Sequence, residues 1–249
     1  MSARHRLRIA LRRLGLDVQR YSPRSSPMWR VRRLLETHRV DCVIDIGAND
    51  GGFGSQLREA GYKGRIVSFE PLSEPFRRLV ARSDADGNWT ALRYAIGSVD
   101  GELEINVAGN DGASSSFLPM LESHRNAAPD ANFIGSELVP MRRLDDLIDD
   151  LIDDLGIEFG TRIYLKLDVQ GYEGMVLDGA TRLTSSSRLV GLQLEMSFTA
   201  LYEGGMTWTQ AVDRAEGLGL EIAGIMPGFS DPNSGWMLQA DGVFFRREP

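Results

Sequence analysis

The stretch VIDIGANDGGFG, residues 43–54, runs from an apolar strand pattern into a loop with four glycines between positions 47 and 54. A strand that ends on the carboxylate of Asp45 and then gives up so many side chains predicts a βα turn where a ligand lies against backbone. Dinucleotide loops follow G-x-G-x-x-G, which brings a pyrophosphate against the second glycine and the helix N-terminus. Gly47-Ala48-Asn49 breaks that pattern, and Asp45 puts negative charge where phosphates would sit. The loop therefore points to a cationic ligand without phosphates. S-adenosylmethionine, with its ammonium and sulfonium, has that chemistry: Asp45 would attract the ammonium directly or through water, with Gly47, Ala48, Asn49, Gly51 and Phe53 along the amino-acid end.

The periodicity around this loop is that of an α/β chain. Ser26-Pro27 predicts a helix start, with Val31, Leu34, Leu35 and His38 on one face, leading into a strand at 41–46. GSQLREAGY and SEPFRRLVARSD fit helices, RIVSFEP a strand and NWTALRYAIG a third strand, giving a βαβαβ half. GSVDGELEINVAGN suggests a strand pair about a turn. GASSSF and HRNAAPDANFIG lack a period and predict a long loop. In LDDLIDDLIDDLG, Leu144, Leu147, Ile148, Leu151, Ile152 and Leu155 share one helical face, and six aspartates from Asp145 to Asp154 share the other. A solvated acidic face explains that spacing without invoking a metal-diphosphate motif. RIYLKLDVQGYE is a central strand ending on Asp168, EGMVLDGATRL a helix, LVGLQLEMS a strand ending on Glu195, and TWTQAVDRAEGLG a helix. LEIAGIMP and DGVFFRR close the sheet as an antiparallel pair. The expected architecture is Rossmann-like, a seven-stranded, mostly parallel sheet with helices on both faces, of the class I methyltransferase type.

Charge divides the chain. The net charge of -7 over 249 residues conceals 11 arginines against 2 acidic residues up to Arg39. Residues 1–40 are thus a basic helical extension and 41–249 the α/β domain. Leu7, Leu11, Leu14 and Val18 recur at helical spacing, with Arg6, Arg8, Arg12 and Arg13 on the other sides. Such a helix either packs its leucines on the body or lies on an anionic membrane surface. Nucleic acid is not expected, because the rest of the chain is acidic. The lone Cys42 allows no internal disulfide and suits a reducing compartment. No apolar run approaches the ~20 residues of a membrane span and no signal peptide is apparent, so a cytoplasmic protein is expected, with peripheral membrane contact open.

Glu70, at the end of the second strand, stands where ribose hydroxyls of an adenosine are held; its structural alternative is to cap the helix from Leu72. Ala95 and Ile96 would line the adenine. Strand alternation puts Lys166 with Asp168, and Gln193 with Glu195, on matching sides of adjacent strands at the carboxyl edge. Asp168 is the preferred base or acceptor anchor, Glu195 the second, and Lys166 would hold one of them by charge. Asp168 and Glu195 could instead share a Mg²⁺, which takes oxygen ligands. His124 could act as a base over the acceptor, and Ser114, Ser115 and Ser116 could hydrogen-bond cofactor or acceptor. Glu173 suits a helix terminus. Tyr202, Trp208 and Trp236 would stack on a sugar or pack in the core.

The segments DIGANDGGFG, FEP, AIGSVDG, LKLDVQGYE, LQLE and LQADGVFFRR occur in an order that resembles the FkbM-type family of S-adenosylmethionine-dependent methyltransferases, over roughly residues 41–247. The resemblance implies a class I methyltransferase fold and methyl transfer to an oxygen, commonly a hydroxyl of a sugar, polyketide or glycolipid. A sugar of a glycolipid or glycosylated natural product is the favoured expectation, with a polyketide or other small-molecule hydroxyl as the alternative. A nicotinamide-dependent oxidoreductase is opposed by the broken glycine pattern and by Asp45. A non-catalytic cofactor-binding module is opposed by the trio Lys166, Asp168 and Glu195. The acceptor's identity and the oligomeric state are not set by the sequence.

Overall fold

The computed structural model describes residues 3–16, 18, 26–155 and 161–247. Helices α1 (Ala3–Arg13) and α2 (Pro27–Thr37) come first. Ser26 Oγ accepts from Trp29 N at 3.2 Å and Pro27 fills the first turn, so α2 starts where the sequence predicts. The βαβαβ half follows as β1 (Cys42–Ile46), α3 (Gly52–Glu59), β2 (Arg65–Phe69), α4 (Ser73–Ser83) and β3 (Trp89–Leu92).

The next segment departs from expectation. NWTALRYAIG divides: Ala95–Ile96 leaves the sheet of β3 and forms β4, in a second, three-stranded sheet. The expected strand pair is one strand, β5 (Gly101–Ala108), whose antiparallel partner β6 (Phe133–Arg142) lies beyond the segment read as a loop. That segment holds the helix α5 (Glu122–Ala127) and a 3₁₀ turn, Pro129–Ala131. A partner so distant in sequence has no adjacent hairpin signal, and the Asp100-Gly101 turn drew the pairing to the nearer stretch.

The helix α6 (Leu144–Leu155) buries Leu144, Leu147 and Ile148 as expected; the side chains of Leu151, Ile152 and Leu155 lie outside the described set. Asp145 leaves the solvated face assigned to it. It is buried, accepting from Arg182 N at 2.8 Å and Leu183 N at 3.0 Å, and so caps a later helix. Then come β7 (Ile163–Leu167), α7 (Glu173–Asp178), α8 (Thr181–Ser185), β8 (Leu189–Ser197), α9 (Trp208–Gly217), β9 (Glu221–Pro227) and β10 (Gln239–Phe245). EGMVLDGATRL is therefore two helices broken at Gly179. A Cβ there would lie 1.8 Å from Gly97 O.

The large sheet has the order β3-β2-β1-β7-β8-β10-β9. Its strands run parallel except β10, which is antiparallel to both β8 and β9. The order reverses between β1 and β7, so the chain leaves these two strands toward opposite sides and opens a crevice at their carboxyl ends. On one face Val43 and Tyr164 pack with Val31, Leu35 and Leu57; on the other Ile44, Ile46, Leu165 and Leu167 pack with Leu147 and Val176. Leu7 of α1 is 62% exposed and Leu14, just past its end, 75%, while Leu11 between them is half-buried. Among the described residues no helix is long and apolar enough to cross a membrane.

Gly179→Ala should cost about 1–3 kcal/mol of stability, because the added methyl meets a carbonyl that cannot swing aside. Gly217→Ala, which meets nothing within 4 Å, should stay within about 0.5 kcal/mol of wild type. Urea unfolding of the two variants measures the difference.

Candidate active site

Register aligns four polar residues across the sheet. Ser68 pairs with Asp45, Asp45 with Lys166, and Lys166 with Gln193, and all four are buried. Lys166 Nζ lies 3.1 Å from Asp45 Oδ1 and 3.4 Å from Asp168 Oδ2, and donates to Gly47 O at 3.3 Å. Burial alone would pull the Lys166 pKa down; the carboxylates of Asp45 and Asp168 outweigh it and hold the pKa above its ordinary value. Lys166 thus stays charged. Ser68 Oγ donates to Asp45 Oδ2 at 3.3 Å and accepts from Trp89 Nε1 at 3.0 Å.

This arrangement gives Asp45 a partner within the protein. It is fully buried on a wholly buried strand, and the ammonium it faces is that of Lys166, directly opposite. The expected role of Lys166 holds, since it bridges Asp45 and Asp168.

The glycine loop is pressed onto the end of β7. Gly47 has φ +76°, and a Cβ there would come within 1.9 Å of Asp168 O, so only glycine fits. Asn49 N donates to Glu70 Oε2 at 2.8 Å and Leu72 N to Glu70 Oε1 at 2.9 Å. Glu70 thus does cap the following helix, yet each oxygen keeps a lone pair. Burial lifts its pKa to about 7 against the pull of the two N–H groups and Lys166.

Above the loop is a cavity of about 440 Å³, lined by Gly47, Asn49, Glu70, Ala95, Ile96 and Ser115 among the residues predicted to hold a cofactor. Leu72, Tyr94 and Phe117 add apolar walls suited to a flat ring. Ser115 Oγ accepts from Ala108 N at 2.9 Å and so shapes the wall. Ala48 and Phe53 fall outside this cavity and line an adjoining one of about 470 Å³ with Lys166 and Asp241. Gly51 lines neither: with φ +85° it starts α3, and a Cβ would press on Leu79 at 2.9 Å. Its glycine answers to packing.

Asp168 and Glu195 are joined through an amide. Gln170 Nε2 donates to Asp168 Oδ1 at 2.8 Å and to Glu195 Oε2 at 3.1 Å, so the two carboxyls share a hydrogen-bond donor. Among the described residues no three His, Cys, Asp or Glu side chains form a metal-ligand group. Gln170 adopts φ +54° and is held in turn: Tyr202 Oη lies 3.0 Å from its Oε1, and Ser116 Oγ donates to its carbonyl at 2.8 Å. Burial first, then the charges of Asp168, Glu173 and Asp241, push the Glu195 pKa far up from the carboxylate range, with Lys166 opposing. Asp241, opposite Glu195 on β10, is raised to about 6 by burial and by Asp168. Glu173 Oε1 accepts from Val169 N at 3.1 Å and Gly171 N at 3.3 Å, the local role expected of it.

A second cleft, of about 640 Å³, shares Asn110, Ala113, Asp168 and Gln170 with the 440 Å³ cavity. Its other walls include His124, Glu195, Phe229 and Gln239. His124 is not on a loop but on α5, 3% exposed, edge-on to Tyr202 at 5.2 Å between ring centroids and tilted against Phe229 at 5.4 Å. Its Nε2 is 3.5 Å from Ser114 Oγ and its Nδ1 has no hydrogen-bond partner. Burial lowers its pKa from the ordinary imidazole value. Phe229 brings an aromatic ring to the wall of this cleft. Of the three aromatic residues expected to stack on a sugar or pack in the core, Tyr202 packs in the core, while Trp208 and Trp236 are exposed.

Sequence reasoning missed Gln170, Asp241, Asn110 and Phe229. The Gln170-Gly171 turn after a strand carried a usable signal, since both residues have positive φ. Phe229 and Asn110 are placed by distant pairing and left none.

Residues 45–223 match the family described as Methyltransferase FkbM domain. The chain is 25% identical over 176 residues to the 2-O-methyltransferase NoeI of Sinorhizobium fredii, covering 69% of each chain. It is 28% identical over 166 residues to the hexuronic acid methyltransferase AglP of Haloferax volcanii, covering 66% of this chain and 60% of that one. A crystal structure of methyltransferase FkbM from Methylobacillus flagellatus aligns with TM-score 0.47 and 16% identity, over 81% of this chain and 43% of that chain. With most of its length matched, the protein belongs to the FkbM methyltransferase family.

Proposed function

We propose that the protein is an S-adenosylmethionine-dependent O-methyltransferase that methylates a sugar hydroxyl, with the sugar on a glycolipid or glycosylated natural product. The observation that carries this reading is the meeting of two cavities at Asp168, one suited to an adenosine and one to a polar ring. The names of the two curated relatives support oxygen and sugar as the target. Family membership removes the oxidoreductase alternative.

In the first cavity Glu70 would hold ribose hydroxyls on its remaining lone pairs, and Ala95 and Ile96 would line the base. S-adenosylmethionine supplies there a methyl group on a positively charged sulfur. The acceptor ring would lie on Phe229 in the second cleft, among Asn110, Gln170 and Gln239. Asp168, fixed by Gln170 and Lys166, would receive the hydroxyl proton. A hydroxyl pKa near ~16 lies far above a carboxylic acid near ~3.9, so the proton moves only as the oxygen–carbon bond forms. Orientation of the two reactants is worth on the order of 7–11 kcal/mol. Among the described residues the cleft is lined by the carboxylates of Asp130 and Asp168 and by no lysine or arginine, which supports an uncharged or amino sugar over an acidic one.

Ribose hydroxyls donating to Glu70 favour its charged form, so binding should lower its pKa from about 7 and release a proton. Calorimetry should then show S-adenosylhomocysteine binding more tightly at pH 8 than at pH 6, and Glu70→Gln should flatten that dependence.

Asp168→Asn should lower kcat by about 10²- to 10⁴-fold while the protein still binds S-adenosylhomocysteine; His124→Gln should cost less than about tenfold. The reverse order would assign the base to His124, whose unpartnered Nδ1 is the observation favouring that second reading. In a panel of glycosides sharing one aglycone, glucoside and glucosaminide should exceed the glucuronide in kcat/KM by at least about tenfold.

A further inference from the structure

Most of the apolar side of α1 is exposed. Leu7 is 62% and Leu14 75% exposed, and the exposure continues at Leu16 (54%) and Val18 (61%). At about 100° per residue, Leu7, Ala10, Leu11 and Leu14 fall in one sector. Arg8 and Arg12 border one edge of it, and Arg6 and Arg13 the other; all four are exposed. Leucines between two rows of arginine form the pattern of a helix that lies in a lipid interface. Guanidinium groups reach phosphate oxygens while the leucines enter the acyl boundary.

We propose that α1 and the residues just beyond it dock the protein on an anionic lipid surface. Charge selects this occupant. Up to Arg39 the chain carries 11 arginines against 2 acidic residues, so with a net charge of -7 the remainder carries -16. An anionic bilayer attracts the helix and repels the body, which makes α1 the point of attachment. A second copy of the chain fits less well, because pairing two such faces brings four arginine rows together. The proposal is independent of the methyl-transfer reading and gives a soluble enzyme access to an acceptor carried on lipid.

The test is co-sedimentation of the full-length protein with phosphatidylcholine vesicles, with and without about 30% phosphatidylserine. Binding should be at least tenfold tighter to the anionic vesicles and should weaken as salt rises. Leu7→Glu with Leu14→Glu should abolish it. Arg6→Gln with Arg13→Gln should weaken it about 25-fold, at about fivefold per arginine. Unchanged melting curves would show that both double variants fold. Absence of vesicle binding by the wild type, or binding indifferent to both double variants, would overturn the proposal. A concentration-dependent dimer lost in the leucine variant, without vesicle binding, would assign the face to a second copy and overturn it equally.

Discussion

The ion pair between Lys166 and Asp45 is the constraint on which the crevice depends. Both residues sit on central strands where every neighbour is buried, and a single charge there would be expensive unless paired and hydrogen-bonded. Lateral contacts support the pair, Ser68 on Asp45 Oδ2 and Gly47 O and Asp168 on Lys166, while Asp45 Oδ1 has only the Lys166 ammonium. Removing Lys166 leaves Asp45 a buried, uncompensated charge, a loss of roughly 3–5 kcal/mol in such settings, whereas a Lys166 without Asp45 keeps Asp168. The same contacts tie the end of β1 to the end of β7 and pull the glycine loop down. The loop's geometry and the position of Asp168 therefore follow from one interaction.

Lys166 is outnumbered, and that sets the ionisation of the remaining carboxyls. It answers Asp45 and Asp168 directly; burial first, and then the charge of Asp168, push Glu195 and Asp241 toward their protonated forms, as burial pushes Glu173 and Glu70 to about 7. Each of these groups binds its proton more tightly in the folded chain than in the unfolded one. For Asp241, Glu173 and Glu70 the contribution to stability is full below about pH 4 and is lost as pH rises through about 6–7; that of Glu195 has the same sign. Such carboxyls favour the fold least at neutral pH, where ligand hydroxyls donating to them would restore part of what is lost. Glu70 is the clearest case, because it faces the cavity and retains acceptor capacity.

The parts legible in the sequence were those with local causes. The break in the glycine pattern, the Ser26-Pro27 start and the alternation that puts Lys166 and Asp168 on one side each depend on neighbours within a few residues. What stayed hidden depends on distant partners. Asp45 has the same carboxylate whether it faces a ligand or a lysine, and only the β1/β7 register decides. Asp145 looked like one of six equivalent aspartates until α8 presented its N–H groups. The β5/β6 pairing spans the very segment that lacked a period, so neither strand could announce the other.

That pairing also explains how selectivity is separated from chemistry. Asp168, Glu195 and Gln239 belong to the sheet edge, whereas Asn110, Ser114 and His124 come from the connection between β5 and β6, and Phe229 from the approach to β10. The two carboxyls of the first group are locked by the buried ion pair and by Gln170. The second rests on a smaller cluster around Met120, Ala131, Leu201 and Tyr202, apart from the main core. The two sets are joined by hydrogen bonds through Gln170, Tyr202 and Ser116 rather than by shared core packing. A fold arranged this way holds the carboxylates of the sheet edge on a rigid scaffold and builds the rest of the cleft from connecting segments, the part of a fold that tolerates change.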